Sequence, residues 1–250
     1  MTEDQLQRIY DSPFHYRLRF GGTFDEAEFA LLVEALEQLA VEQIARGKTL
    51  PKAVAQGLYW NLFILHAWSY SDLKATGIDK KLLRMLDAQL LIERLVLRCM
   101  GLPEIRYPDR SLAHRWLSYP VEEAKVPVAE EVAVEAFRKQ ILGNLFLNRL
   151  WCNGVYDPDE YQQLCASWRN LERLWAGRCE VDRVLVQGLM VHELVLRELV
   201  EFYDARMRGQ KMSEEVALAW AELQGLMLNC LGDEGGIDPE RIAWMRNSGM

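Results

Sequence analysis

Histidine is the residue type in this chain best suited to acid–base or metal chemistry near neutral pH, and it occurs four times. His192 falls near the centre of an apolar stripe in a predicted helix, and His66 lies in an uncharged, largely apolar segment. A buried imidazole needs a partner for each ring nitrogen, and Glu198 stands at the edge of the stripe. These residues predict either a hydrogen-bonded core histidine or a pocket between helices around His66 and His192.

The spacings that mark common catalytic and metal sites are missing from the sequence. Gly47-Lys48-Thr49 ends like a phosphate-binding loop, but Glu42 replaces the first glycine that such a loop requires. There is no G-x-S-x-G or H-E-x-x-H motif, and the five cysteines form no C-x-x-C pair. We therefore expect no cofactor, no bound metal and reduced cysteines in helix cores, and a non-enzymatic function is favoured.

Segment 102–127 combines four of the eight prolines with a cluster of arginine and aromatic side chains. Arginine, tyrosine and tryptophan are enriched at binding hot spots, and long loops between helices are frequently functional. The segment predicts a recognition loop, with an aromatic cover over the helices as the alternative. The candidate binding residues are Arg106, Tyr107, Arg110, Arg115, Trp116 and Tyr119.

The negative charge is concentrated in the second half of the chain. Residues 1–125 carry 16 basic and 17 acidic groups, whereas residues 126–250 carry 13 and 20. Glu193, Glu201 and Asp204 are expected on the solvated face of a helix, where they would attract a basic protein. Ordinary solubilisation of helix faces is the alternative. The overall acidity argues against direct nucleic-acid binding.

Helix start and stop signals divide nearly the whole chain into helices. Thr23 and Glu26 fit a capping box, and Asp157 followed by Pro158 is a strong helix start. Phe14 to Phe20 alternates apolar and polar residues and predicts a short N-terminal extended segment. The predicted helices cover residues 23–46, 51–77, 79–101, 128–153, 157–177, 181–208 and 213–231, with a short one from 238.

These elements predict an all-α helical bundle of seven or eight helices. Residues 53–71 have no charge and apolar side chains all round, which is typical of a central helix. We expect a helical part over 1–101, a proline-rich connection over 102–127 and an acidic helical part over 128–250, which together form one compact domain. Short matches at offsets of 83 and 99 residues hint at a duplication: residues 61–63 resemble 144–146, and residues 95–98 resemble 194–197.

The sequence favours a cytoplasmic protein that binds another protein, for example an inhibitor or immunity-type protein with a basic partner. It predicts no membrane association, because the uncharged segment is interrupted by polar residues and flanked by charged helices. The alternatives are an all-α enzyme or small-ligand-binding protein with a pocket around His66 and His192, and a structural subunit of a helical assembly.

Overall fold

The computed structural model describes residues 7–9, 11–44, 49–63, 80–101, 143, 145–207 and 211–232. This part of the chain is all-α, as the sequence predicts, and its extended structure is limited to two three-residue strands. The chain divides into two compact units, Met1–Arg106 and Tyr107–Met250. Each unit is a small helical bundle with its own buried core.

The described part of the first unit contains a short helical stretch at residues 7–9, four longer helices and one strand. The longer helices and the strand are α1 (Pro13–Gly21), α2 (Glu26–Ile44), β1 (Thr49–Pro51), α3 (residues 52–63) and α4 (Lys80–Met100). Helix α2 packs along α4 and also contacts α1. Most side chains of α3 are buried, as expected for a central helix, and the predicted continuation of this helix to residue 77 lies outside the described residues.

The second unit repeats this order of elements. They are α5 (Leu145–Asn153), α6 (Pro158–Trp175), β2 (Glu180–Asp182), α7 (Arg183–Met207) and α8 (Lys211–Leu231). Helix α8 packs against both α6 and α7. Because α7 is surrounded, nearly every side chain from residue 185 to 200 is buried.

Helices α2 and α6 begin at equivalent aspartate caps. Asp25 Oδ1 accepts hydrogen bonds from the backbone N–H groups of Ala27 and Glu28, at 3.1 Å each. Asp157 Oδ1 accepts the same pair of bonds in α6, at 3.2 Å. An N-cap carboxylate satisfies N–H groups that have no partner within the helix. The Asp157 cap was predicted correctly, whereas the prediction of Thr23 as the cap of α2 is wrong.

The predicted extended segment Phe14 to Phe20 is also wrong, because these residues form α1. Pro13 occupies the first turn, and Gly22 ends the helix with a φ of 61°. Phe14 and Leu18, one turn apart, are buried, while Tyr16 is 66% exposed. The apolar alternation therefore does not mark the two faces of a strand.

Two further helix boundaries differ from the sequence-based expectation. Gly143 is a turn and α5 begins only at Leu145, so a continuous helix over 128–153 is wrong. Helix α7 begins at Arg183, because the preceding residues form β2. The predicted end of α4 at Gly101 is confirmed by the φ of that glycine, 71°.

The register of the repeat is almost constant. Helices α5 and α6 begin 132 residues after α1 and α2, while β2, α7 and α8 begin 131 residues after β1, α3 and α4. A single-residue deletion between α6 and β2 accounts for the change. The two units are structural repeats, and their register differs from the offsets of 83 and 99 residues suggested by short sequence matches.

Equivalent side chains make equivalent contacts inside the two units. In each unit three aromatic rings meet where the first helix joins the second, with centroids 5.0–5.3 Å apart in the first unit. The corresponding distances in the second unit are 5.2–5.7 Å. The rings are those of Phe14, Phe24 and Phe29, and of Phe146, Tyr156 and Tyr161.

A cysteine near the end of the last helix repeats in the same way. The Cys99 thiol lies 3.3 Å from the carbonyl oxygen of Leu36, and the Cys230 thiol lies 3.3 Å from that of Trp168. These contacts tie α4 to α2 and α8 to α6. The second helix therefore contacts the first and the last helix in the same way in both units, and positions that differ between the repeats are where unit-specific roles are expected.

Candidate functional site

The predicted recognition loop cannot be placed in the fold. Its candidate residues, together with His66, lie outside the described part of the chain. The recognition loop and the pocket around His66 and His192 therefore stay predictions. The remaining candidates, Glu193, Glu201 and Asp204, all lie in α7.

Glu193 is not on a solvated face, and this expectation is wrong. Its side chain is 1% exposed, and Oε1 accepts hydrogen bonds from Trp220 Nε1 and Gln224 Nε2, both at 3.2 Å. The sequence pattern indicates one solvent-facing side for α7, but the side chains of this helix are buried nearly all round. Glu193 thus joins α7 to α8 and is not presented to a macromolecular partner.

His192 and Arg197 are buried beside Glu193 on the same helix, at 2% and 5% exposure. The His192 ring meets the Trp168 ring edge-to-face, with centroids 5.6 Å apart. The prediction that His192 lies in the core is therefore confirmed. Arg197 lies one turn after Glu193, so its burial also shows that this part of α7 has no solvated face.

Glu201 is the acidic candidate of α7 that reaches the surface. Its side chain is partly exposed, one turn after the buried section of the helix. Asp204 follows within the same helix. Its side chain is outside the described part, so its role as a binding residue stays a prediction.

The first unit buries a different polar pair, of which Asn61 stands at the position equivalent to His192. His15 Nε2 lies 2.8 Å from Asn61 Oδ1, while the Asn61 amide nitrogen donates to the carbonyl oxygens of Gly57, at 2.7 Å, and Ile9. Since Asn61 uses its NH₂ group on two carbonyls, His15 must donate from Nε2. Burial lowers the pKa of His15 to about 4, although the bond to Asn61 opposes the shift. His15 is therefore a neutral core residue.

A surface cluster joins α6 to α8 in the second unit. The Tyr161 hydroxyl donates to Glu222 Oε2 at 2.6 Å, and Arg169 Nη2 donates to Glu222 Oε1 at 2.9 Å. Burial raises the pKa of Tyr161 well above its usual range and that of the neighbouring Cys165 thiol to about 11. A buried thiol with a raised pKa is a poor nucleophile, so this cluster stabilises the fold.

The other cysteines divide between core and surface. Cys99, Cys165 and Cys230 are buried thiols, whereas Cys152 and Cys179 are exposed. The expectation that all five belong to helix cores is therefore wrong for the last two. Both follow or end a helix, where the apolar run had suggested burial.

The most distinctive surface of the described residues is the outward face of α4, which we call the α4 face. Four leucines on it are exposed by 37–53%, at spacings that follow the helical repeat. Exposed basic residues stand at both ends, and Asp87 lies between the leucines. The α4 face consists of Lys80, Leu83, Leu86, Asp87, Leu90, Leu91, Arg94 and Arg98.

Sequence reasoning missed the α4 face, although its signal is present. Leucines at 82, 83, 86, 90, 91, 95 and 97 cover more of the helix circumference than one buried stripe needs. Leu82 and Leu95 are buried against the rest of the unit, while Leu83 and Leu90 point outward. Which of these leucines are buried and which are exposed depends on how α2 packs against α4, and the sequence pattern does not show that packing.

Among the described residues, no group of three or more His, Cys, Asp or Glu side chains is placed to hold a metal ion. None of the helices in the described ranges is long and apolar enough to cross a membrane. Comparisons of the chain with protein-family models, with curated proteins and with solved structures find no match.

Proposed function

We propose that this chain is a non-enzymatic protein-interaction module and that the α4 face is its contact surface. The observation that carries the proposal is the set of four leucines, Leu83, Leu86, Leu90 and Leu91, exposed along one helix. Single exposed leucines are ordinary, but several exposed apolar side chains grouped on one face of a helix are typical of a binding site. Burying such a patch stabilises a complex by removing apolar area from water.

The rim of the α4 face fits this function. Interfaces commonly have an apolar centre and a polar margin, and arginine is enriched in them. Here Lys80 stands before the leucines, and Arg94 and Arg98 follow them, all exposed. Arg84, by contrast, is engaged within the unit, since its Nε donates to Glu26 Oε1 at 2.8 Å and its guanidinium lies 4.8 Å from the centre of the Phe24 ring.

The repeat supports a unit-specific role for these leucines. At the equivalent positions of α8 stand Glu214, Ala217, Ala221 and Glu222, whereas the core and capping residues are similar in both units. Leucines that served only the common fold would be expected in both helices. Their restriction to α4 indicates a function of the first unit that the second unit does not share.

An inhibitor or immunity-type protein with a basic partner is a finer form of the same proposal. Support comes from the acidic second half of the chain and from Glu214, which is exposed on α8. If this charge recruits the partner, raising salt from ~50 to ~500 mM will slow association strongly and change dissociation little. Stopped-flow kinetics on a captured complex measure both rates. A salt-independent association rate would contradict recruitment by charge.

The interaction function is tested by site-specific photo-crosslinking in the native host. A benzophenone amino acid at Leu86 is expected to capture a discrete protein, identified by mass spectrometry, and the additional substitution Leu90→Glu is expected to abolish the adduct. The matched control places the same probe at Leu31, which is 37% exposed on α2. If position 86 gives no adduct, or only one within its own chain, the proposed function is wrong.

A further inference from the structure

The α4 face has an equivalent in the second unit that differs in charge and in side-chain size. We call it the α8 face, and it consists of Lys211, Glu214, Ala217, Leu218, Ala221, Glu222, Gly225 and Asn229. Basic residues outnumber acidic ones on the α4 face. On the α8 face Glu222 is paired with Arg169 and Lys211 with Glu215, which leaves Glu214 as the acidic group that can meet a basic partner residue. Both faces are solvent-accessible, with Leu83 53% exposed on α4 and Leu218 54% exposed on α8.

We propose that the α4 face of one copy of this chain binds the α8 face of a second copy, with the two helices antiparallel. This inference rests on the proposed function, because it takes the α4 face as a protein contact and names its occupant. The charge complementarity of the two faces is the argument for a second copy. Opposite charges across an interface favour the correct partner and fix its register.

Register favours the antiparallel arrangement. On α4, Leu83 and Arg94 are eleven residues apart, and on α8 Glu214 and Gly225 have the same separation, about 16 Å along a helix. Antiparallel packing brings Arg94 to Glu214, Leu90 to Leu218 and Leu83 to Gly225, which has no side chain. It also brings Leu86 to Glu222, whose carboxylate is already bonded to Tyr161 and Arg169 within its own unit. Parallel packing would place Leu83 against Glu214 and would desolvate a carboxylate without a partner.

The stoichiometry follows from the presence of both faces on every copy. If each α4 face engages the α8 face of the same partner, two identical contacts close a dimer; otherwise each copy leaves one face free and growth continues. One helix pair buries less than the roughly 1,200–2,000 Å² typical of stable complexes. Association is therefore expected to depend on protein concentration in either case.

Sedimentation velocity of the full chain, from ~1 to ~100 μM, tests the inference. The wild-type protein is expected to shift from monomer to dimer or larger species over this range. Leu90→Glu is expected to raise the dissociation constant at least about tenfold, because it places a carboxylate in the apolar centre. Leu31→Glu is the matched control, since Leu31 and Leu90 are exposed by 37% and 39% on different helices of the same unit; it is expected to leave association unchanged.

A charge exchange tests the register. Arg94→Glu and Glu214→Arg should each weaken association, and the double variant should restore it, because the reversed pair is again complementary. Circular dichroism of every variant shows that the helices are intact. If Leu90→Glu does not weaken association, the proposed α4–α8 contact is wrong. If Arg94→Glu and Glu214→Arg each weaken association and the double variant does not restore it, the antiparallel register is wrong.

Failure of this inference is distinguishable from failure of the proposed function. A chain that stays monomeric up to ~100 μM, while the probe at Leu86 captures a different protein, overturns the second copy as occupant and leaves the interaction function standing. A monomeric chain whose probe at Leu86 reacts only within its own chain overturns both.

Discussion

Glu193 accepts two hydrogen bonds from N–H groups of α8 while it is almost fully buried. Replacing Glu193 by alanine leaves the Trp220 and Gln224 donors without their acceptor in the core, where water cannot replace it. We expect this variant to lose about 2–4 kcal/mol of unfolding free energy, measured by urea denaturation. Glu193→Gln keeps an acceptor oxygen and should lose clearly less. Equal losses would show that the carboxylate charge, and not the two donors, sets the stability.

His15 makes the stability of the first unit depend on pH. Its pKa is about 4 in the folded chain, because burial disfavours the charged ring, and 6.5 without that environment. In the unfolded chain His15 therefore binds a proton below pH 6.5, whereas in the folded chain it binds one only below about pH 4. The His15 contribution is complete above pH 6.5 and should fall by about 3 kcal/mol as the pH drops to 4.

His15→Gln provides the control for this pH dependence, because glutamine keeps a donor for Asn61 Oδ1 and does not titrate. The unfolding free energy of this variant, from denaturant titrations at several pH values, should fall less steeply between pH 6.5 and 4. Parallel curves for the two proteins would mean that His15 is charged in the folded chain.

Single residues were also where sequence reasoning was least reliable. The buried position of His192 and the cap at Asp157 could be predicted, because an apolar stripe and an Asp-Pro start are local signals. The burial of Glu193 could not be predicted, because it depends on contacts with α8, whose Trp220 comes 27 residues later in the sequence. A charged residue in a helical sequence pattern is assigned to the solvent-exposed face unless a buried hydrogen-bond partner for it is known.

At the scale of the element, Gly22 and Gly154 end α1 and α5 in the left-handed conformation, with φ of 61° and 64°. An alanine there strains the backbone, and we expect Gly22→Ala to cost about 1 kcal/mol of unfolding free energy. A Cβ at Gly22 would meet no atom within 4 Å, whereas one at Gly154 would lie 3.4 Å from the Tyr203 hydroxyl. Gly154→Ala should therefore cost at least as much, by thermal unfolding. A neutral effect at both sites would contradict the left-handed turns.

Helix existence could be predicted along most of the chain, and helix boundaries less well. Proline at the start and glycine at the end are local features, so α4 and α6 were placed closely. The error at α1 arose because nine residues are too few to separate a helical period from an alternating one. The α4 face was hidden for a related reason, since buried and exposed leucines are adjacent in sequence.

At the scale of the whole molecule, each unit contains its own core and its own inter-helix contacts. We expect a fragment of residues 1–106 and one of residues 107–250 each to be helical by circular dichroism and to unfold cooperatively in urea, because the described contacts that join α1 to α4 and α5 to α8 are internal to each. Two fragments that are unfolded alone and fold only when mixed would contradict independent units.

The repeat escaped the sequence comparison because its identities are scattered. Phe14 and Phe146, Arg17 and Arg149, and Cys99 and Cys230 correspond, but helix packing spaces such residues three or four apart. The register also changes by one residue before β2, so that one fixed offset fits only part of the chain.

The junction of the first two helices in each unit reads Phe-x₂-Arg-Leu-x₃-Gly-x-aromatic-Asp-x₂-Glu-aromatic, over residues 14–29 and again over 146–161. The fixed positions supply the three rings, the aspartate cap with its arginine and glutamate partners, a buried leucine and the left-handed glycine. The pattern is therefore expected to persist in related chains whose other residues have changed. A chain of half this length that carries it once is expected to be the undivided ancestor type, one four-helix unit, and a chain that carries it three times should have three.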